Sequence, residues 1–297
     1  MNKTDIWCFQ HEPDNIEDMV LNDDVRDKLN NIINQSLNVT LVGPAGVGKG
    51  TFTHIFLKQS GFDYIWVNCS DETSVENMRT KVKSFATALG TSKLKVVVLN
   101  EADYLSPNAM AMLRDLIEQV HSITRFILMC NYGHKLLPEI TSRCPIVEMG
   151  SPPLKDIAKF VMGVLKKENV KIEKLETIIE TIKKLYPDIR TTLNTLQLNT
   201  IDGKISSVKF QIASELYKNI FDLVKKQDLD GIRKTLRSNT TNYTELYQYI
   251  FDNVGDLKSP GDAIIETADA MYRDSLVAIK EINFIGYILK LVKKGCI

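Results

Sequence analysis

The 297-residue sequence contains little cysteine and shows no pattern typical of disulfides or structural zinc. Its five cysteines are odd in number and form no Cys-x-x-Cys pair, which favours reduced thiols in an intracellular protein. The amino terminus has no apolar signal core, and no run approaches the roughly 18 uninterrupted apolar residues of a membrane span. We therefore expect a cytoplasmic protein that does not use a membrane.

The sequence also lacks net charge. Lys plus Arg and Asp plus Glu both number 37, so a polyanionic partner would have to meet a local basic patch. The four histidines are scattered, without a His-Glu-x-x-His motif or a Ser-His-Asp arrangement, which argues against hydrolytic nucleophile chemistry. With 44% hydrophobic and 25% charged residues, the chain has an ordinary globular composition and enough length for about two domains.

Short apolar runs alternate with helical patterns in the first half of the chain. The predicted strands are 39–42, 64–67, 96–99 and 126–129, and the predicted helices are 49–59, 76–89 and 108–120. The third helix is preceded by a start signal, Ser106-Pro107. Strands that alternate with helices predict a parallel α/β domain with helices on both faces of the sheet.

Strand signals vanish after Ser151, and the remaining sequence has helical spacing of Ile and Leu. We therefore predict an α/β domain over 1–150, a small helical domain over 151–205 and a second helical domain over 206–297. One apolar face of the last helix is marked by Ile282, Ile285, Leu289 and Val292.

A glycine-rich segment, residues 43–51 (GPAGVGKGT), lies between the first predicted strand and a helix. Glycines let backbone N–H groups converge on phosphate oxygens, and Lys49 supplies a cation for the β and γ phosphates. The segment predicts an ATP-binding loop. Where Ser or Thr normally binds Mg²⁺ the sequence has Gly50, so Thr51 is the nearest hydroxyl. Because the Gly-Lys-Gly-Thr ending also resembles adenylate kinases, the loop alone leaves a nucleotide kinase open.

Polar residues follow two further predicted strands. Asn100 and Glu101 come directly after 96–99, at the edge of a parallel sheet where ligands bind, and the segment looks like a Walker B motif. Glu101 would polarise the attacking water, whereas Asn100 would reach Mg²⁺ only through a metal-bound water. Asn131 follows 126–129; it either contacts the γ-phosphate and orients the water or simply terminates the strand.

These motifs, in this order, resemble those of the small (motor) subunits of DNA polymerase clamp loaders, AAA+ ATPases related to replication factor C and to T4-type phage loaders. Asn131 then matches sensor 1. Ser142-Arg143-Cys144 matches the SRC motif, which implies that Arg143 acts in trans on a neighbour's ATP. Residues 188–197 (DIRTTLNTLQ) resemble the sensor 2 helix, which implies Arg190 as the cis arginine above the phosphates.

The resemblance extends to the segment that covers the adenine, which begins here with His11-Glu12-Pro13 in place of the usual Tyr-Arg-Pro. It implies Phe9, Gln10, His11 and Val20 near the base. Together with the loop and the cis arginine, the expected nucleotide-binding residues are Phe9, Gln10, His11, Val20, Gly46, Val47, Gly48, Lys49, Gly50, Thr51 and Arg190.

The resemblance covers about residues 5–200. It implies a AAA+ domain with a helical lid, and the helical carboxyl-terminal region agrees with the collar that holds five subunits together. The implied activity is ATP-driven opening of a sliding clamp and its loading at primer-template junctions. Implied cofactors are ATP and Mg²⁺, and implied partners are the clamp, DNA and other loader subunits. The short chain and divergent motifs suit a phage protein acting in its host cell.

One alternative stays open within this class. Gly50 and Asn100 together would also suit a subunit that binds ATP for structural purposes and hydrolyses it poorly. A nucleotide kinase would explain the loop and nothing after it.

Basic residues on the helix 76–89 are candidates for DNA contact. Arg79 and Lys83 stand four apart on one face with Lys81 nearby, which suits either phosphate contact or an ordinary solvated face. Arg114 resembles a basic position that links nucleotide and DNA in loaders; the alternative is an ion pair with Glu118. By resemblance, 85–93 is the candidate clamp contact.

Overall fold

Five short segments form one parallel sheet in the order β2-β3-β4-β1-β5. The computed structural model describes residues 5–70, 75–88, 92–205, 213–238 and 241–297. The strands are β1 (Val39–Val42), β2 (Asp63–Asn68), β3 (Lys95–Asn100), β4 (Thr124–Cys130) and β5 (Ile146–Glu148). The helices that belong with this sheet are α1 (Trp7–Gln10), α2 (Asp23–Gln35), α3 (Lys49–Ser60), α4 (Val75–Thr87), α5 (Pro107–Val120) and α6 (Pro138–Thr141).

Alternating residues of β3 contribute to two separate cores. Val96 and Val98 pack with α2 and α3, whereas Val97 and Leu99 pack with α4 and α5. Successive strand residues point to opposite faces of a sheet, and all four of these side chains are fully buried. The continuous valine run therefore reflects a sheet covered by helices on both faces, which confirms the predicted α/β layers.

The predicted elements of this sheet are present, with small differences at their ends. β1 has the predicted bounds, and β2, β3 and β4 are longer than predicted by one or two residues at each end. The α5 start is also confirmed, because the Ser106 Oγ accepts a hydrogen bond from the Ala109 N–H at 3.2 Å and Pro107 occupies the first helical turn.

Three helices and a strand pair follow the sheet. They are α7 (Leu154–Lys167), β6 (Lys171–Ile172), α8 (Leu175–Leu185), α9 (Ile189–Leu198) and β7 (Lys204–Ile205). The expectation of no strands after Ser151 is therefore wrong in detail, because β6 and β7 pair in parallel. Two-residue strands are too short to show an alternating pattern, so no sequence periodicity indicates them.

The amino-terminal helix α1 packs onto this helical segment. Trp7 is buried in the same core as Val161, Ile178 and Leu196. The Gln197 side chain bonds at both of its ends: its Oε1 accepts from the Trp7 N–H at 2.9 Å and its Nε2 donates to the Asp5 carbonyl at 2.6 Å. The start of the chain is thus held against α9.

The chain divides into two compact units, residues 1–208 and 209–297. The described part of the second unit contains α10 (Ala213–Lys225), α11 (Leu229–Ser238), α12 (Tyr243–Asp252), α13 (Pro260–Asp274) and α14 (Lys280–Lys293). The further division of the first unit at residue 150 stays a prediction. In the described ranges, no helix has both the length and the apolar character that crossing a bilayer requires.

On α14, the apolar face predicted from the sequence is not the face that packs in the core. Phe284, Tyr287, Ile288 and Leu291 are buried, whereas Ile282 is 67% exposed. Ile285 and Val292 only flank the core, and Leu289 is exposed. The helix therefore has apolar residues on a buried side and on an outward side. The spacing of apolar residues in the sequence does not show which of the two sides packs in the core.

The two sides of α14 predict contrasting effects on stability. Phe284→Ala removes a fully buried ring and should lower the free energy of unfolding by about 3–5 kcal/mol. Ile282→Ala, on the exposed side, should change it by less than about 0.5 kcal/mol. Urea unfolding of the isolated chain, followed by circular dichroism, measures both, and equal losses would contradict the packing described.

Candidate functional site

The glycine-rich loop connects β1 to α3 at the carboxyl edge of the sheet. Gly46 and Gly48 have positive φ angles of 74° and 99°, a conformation that side chains with a Cβ rarely adopt. A Cβ on Gly46 would also lie 1.9 Å from the Asp188 Oδ1. These positions therefore require glycine, and the loop backbone stays accessible to a ligand.

The Lys49 ammonium lies within the curve of this loop. Its Nζ donates to the Gly43 carbonyl at 2.6 Å, to the Pro44 carbonyl at 2.8 Å and to the Asn131 Oδ1 at 3.0 Å. Burial lowers the pKa of Lys49 from its usual value, and nearby negative charge partly opposes this shift. The structure thus brings Lys49 together with Asn131, two residues predicted to act on the γ-phosphate.

The strand order explains why Lys49 and Asn131 lie close together. β1 lies between β4 and β5, with Val42 opposite Cys130, so the loop after β1 and Asn131 after β4 leave the sheet side by side. On the side of β4 away from β1 lies β3, and Glu101 directly follows β3 in the sequence. Neighbouring carboxyl ends of parallel strands are the usual ligand site of such sheets.

Glu101 itself has a left-handed backbone, with a φ angle of 56°. For a residue with a Cβ this conformation costs about 1–3 kcal/mol, and such strain clusters at functional sites. The preceding Asn100 directs its amide to the neighbouring strand, where its Nδ2 donates to the Asn68 Oδ1 at 3.4 Å. The turn therefore separates the two predicted Walker B side chains.

Thr51 is bound to a residue that sequence reasoning did not select. Its Oγ1 donates to the Glu12 Oε1 at 2.9 Å, and the His54 Nδ1 lies 3.6 Å from the same oxygen. The neighbouring His54 side chain, together with the Thr51 hydroxyl, lowers the pKa of Glu12 against the effect of burial. In this arrangement the hydroxyl faces the amino-terminal segment. Only the tertiary fold brings Glu12 to this loop.

A cleft opens between the loop, the amino-terminal segment and α9. The predicted nucleotide-binding residues that line it are Phe9, His11, Val20, Gly46, Val47, Gly48, Thr51 and Arg190. Gln10, Lys49 and Gly50 are outside its lining. The sequence analysis missed the largely apolar lining residues Cys8, Met19, Phe160, Ile189 and Leu193.

The cleft combines apolar walls with one facing cation. Arg190, at the start of α9, lines it and contributes to lowering the pKa of Glu12. His11 is directed away from the loop, because its Nε2 lies 2.5 Å from the Glu168 Oε1. An apolar pocket beside a phosphate-type loop has the composition expected for a base and its phosphates. Whether these residues bind nucleotide stays a prediction.

Arg143 lies outside the cleft lining, just after α6. Its Nε donates to the Glu118 Oε1 at 3.0 Å, and its Nη1 donates to the Glu139 carbonyl at 2.8 Å. Glu118 is 58% exposed, so the pair is a surface ion pair, a class worth about 0–1 kcal/mol. The guanidinium is therefore held at the surface by a weak partner.

The candidate DNA contacts lie on two helices. Lys81 and Lys83 are exposed on α4, and the side chain of Arg79 lies outside the described residues. Arg114 on α5 pairs with the adjacent Asp115 at 2.7 Å rather than with Glu118. Of the candidate clamp segment 85–93, residues 89–91 lie outside the described part, and Phe85 packs against the core.

The residues of the loop determine how well Mg²⁺ would fit this chain. A Cβ on Gly50 would meet no atom within 4 Å, and its φ is not in the left-handed region, so a hydroxyl side chain is absent here although there is room for one. Within the described ranges, no cluster of three His, Cys, Asp or Glu could hold a metal. A bound Mg²⁺ ion would therefore depend mainly on nucleotide phosphates and water, with few protein groups.

Residues 39–150 match the family described as "ATPase family associated with various cellular activities (AAA)". The solved structure of the Thermotoga maritima RuvB Holliday junction branch migration motor superimposes with a TM-score of 0.54 at 16% identity, covering 82% of this chain and 78% of that chain. At this identity the similarity shows the fold alone.

Two curated relatives are similar over most of their length. The replication factor C small subunit of Picrophilus torridus is 31% identical over 76% of this chain and 74% of that protein. The protein of the same name from Methanocella arvoryzae is 30% identical over 91% of this chain and 89% of its own length. The chain therefore belongs to the replication factor C small-subunit family and is a AAA+ ATPase of the clamp-loader class.

Proposed function

We propose that this chain is a motor subunit that uses ATP to open a sliding clamp and load it at primer-template junctions. The observation that carries the proposal is that the loop contacts both the sheet and α9: its Lys49 bonds to Asn131 at the end of β4, and its Gly46 and Gly48 line a cleft together with Arg190 of α9. The loop thus connects the end of β4 and α9. A ligand that bridges the three would couple the sheet to the helices that follow it.

ATP fits this place by its chemistry. The positive-φ glycines expose backbone N–H groups to phosphate, and the Lys49 ammonium can exchange its carbonyl partners for phosphate oxygens. The apolar side chains of Val20, Met19 and Leu193 offer walls for a base. When bound, Mg²⁺ would neutralise charge on the β and γ phosphates.

Hydrolysis requires a positioned water. Glu101 carries the carboxylate that can accept a hydrogen bond from that water, and Asn131 carries an amide that can orient it. Both leave neighbouring strands at one edge of the sheet, so we infer that they act as a pair.

Arg143 is proposed to act on the nucleotide of a neighbouring subunit. Its weak surface pairing with Glu118 leaves it free to transfer to a stronger anion, and it is outside the cleft lining of its own chain. An arginine that reaches a γ-phosphate from outside stabilises the charge of the transition state. Assembly would then switch hydrolysis on.

The second unit offers a surface for that assembly. α13 and α14 expose large apolar side chains, among them Ile265, Tyr272 and Ile282, each more than 60% exposed. Outward apolar residues at this density are typical of a protein interface. We propose that this face binds neighbouring subunits.

DNA would be contacted through its phosphates by Arg79, Lys81, Lys83 and Arg114. A ring of subunits repeats each small basic patch, so a chain of zero net charge can still track a phosphate backbone. Contacts of this kind carry no sequence information, which suits loading at any primer end.

A second candidate is an ATP-binding subunit that hydrolyses poorly. Asn100 brings no negative charge and already donates to Asn68, and Gly50 brings no hydroxyl. Turnover by the assembled protein distinguishes the two candidates.

Replacing Lys49 tests the nucleotide site. Lys49→Ala removes the charged donor of the loop and should weaken binding of a non-hydrolysed ATP analogue by about tenfold to a hundredfold, since such bonds contribute about 1.5–3 kcal/mol. Calorimetry measures the affinity. The matched control is Lys58→Ala, on the same helix, whose 69%-exposed side chain forms an ion pair with Asp14 away from the loop. Equal affinities in both variants would contradict the assignment.

Replacing Arg143 tests action between subunits. Arg143→Ala should lower turnover of the assembly by about a thousandfold or more, the scale of a lost arginine finger, while each chain keeps its affinity for ATP. Steady-state phosphate release and calorimetry provide the two readouts. The proposal fails if the isolated natural chain already turns over as fast as the assembly.

A further inference from the structure

Asp103 is a buried carboxylate for which the described structure provides no partner. It lies in the 3₁₀ turn Ala102–Tyr104, directly after Glu101, and is only 8% exposed. In the part of the chain that the structure describes, neither of its oxygens accepts a hydrogen bond. Such groups are rare, because burying an ionised carboxylate is costly unless a cation or donors compensate it.

Lys49, whose pKa is influenced by Asp103, does not donate a hydrogen bond to this carboxylate. An ammonium has three N–H donors, and those of Lys49 are directed to the Gly43 carbonyl, the Pro44 carbonyl and the Asn131 amide oxygen. Asp103 still lies close enough for its charge to oppose the effect of burial on the pKa of Lys49. The carboxylate is therefore near the loop without a bond to it.

A neutral thiol completes the surroundings. Cys130, at the end of β4, is buried, and burial together with the charge of Asp103 raises its pKa to about 11. It therefore brings no charge that would balance the carboxylate. Asp103, Lys49 and Cys130 thus form one electrostatic group at the carboxyl edge of the sheet, in which the charge of Lys49 offsets that of Asp103 but no donor binds the carboxylate.

The magnesium site of the proposed function lacks a negative charge at this same edge. Asn100 occupies the position of the acidic residue and donates to Asn68, and Gly50 provides no hydroxyl. We propose that Asp103 supplies the carboxylate that Asn100 lacks and steadies Mg²⁺ through a metal-bound water. This inference rests on the proposed nucleotide site, and it assigns to Asp103 a positioning role toward the metal.

The test separates metal binding from nucleotide binding. Calorimetry measures the affinity for ADP with Mg²⁺ and with EDTA, in the natural chain and in Asp103→Asn. We expect equal affinity with EDTA, and a loss of about tenfold or more in the affinity gained from Mg²⁺, the usual effect of removing an outer ligand of a metal. Asp115→Asn, an exposed acid paired with Arg114, is the matched control and should behave as the natural chain does.

A rescue variant distinguishes a role at the metal from a structural one. Adding Asn100→Asp to Asp103→Asn should restore the increase in ADP affinity that Mg²⁺ produces in the natural chain. Because Asp103→Asn removes a buried carboxylate that no donor binds, it should also raise the metal-free melting temperature; a lower one would show that the carboxylate already has a partner, and would overturn the inference.

Two binding outcomes also overturn it. If Mg²⁺ raises the ADP affinity of Asp103→Asn as much as that of the natural chain, Asp103 is excluded from the metal site. If Asp103→Asn loses the same ADP affinity with EDTA as with Mg²⁺, the residue acts through Lys49. If the natural chain binds ADP under neither condition, the proposed nucleotide site fails as well, so the two failures are distinguishable.

Discussion

The parallel pairing of β1 with β4, and of β4 with β3, is the constraint on which the candidate site depends. Each strand delivers one polar group at its carboxyl end: the loop with Lys49, then Asn131, then Glu101. Strand spacing of about 5 Å underlies our proposal that these groups act on a single phosphate chain. The buried valines of β3 pack on both faces of the sheet, so the position of the site is set by two hydrophobic cores.

The second requirement is that helical elements close over that edge. The amino-terminal segment is held to α9 through Gln197 and to the loop through the bond between Glu12 and Thr51. Asp188, the N-cap of α9, lies against Gly46. A ligand in this cleft would therefore contact the loop, the amino-terminal segment and α9 at once, and we propose that nucleotide binding alters the arrangement of the helices in this way.

Patterns local in sequence predicted much of the fold, and contacts distant in sequence explain what was missed. The run 96–99 predicted a buried strand because its residues are apolar on both faces, whereas β5 has only Val147 buried among its three residues and carries no such signal. The roles of Glu12 and His54 beside Thr51, and the isolation of Asp103, depend on neighbours tens of residues away. The outward position of Ile282 also depends on how α14 packs, which its own periodicity does not determine.

The central claim is that one nucleotide contacts both the loop and α9. Hydrogen exchange of the backbone amides, measured with and without a magnesium-bound, non-hydrolysed ATP analogue, tests it directly. The account predicts slower exchange at residues 43–51 and at the start of α9, near Arg190, within the same titration. Slower exchange at the loop with no change in α9, or at neither, would contradict it.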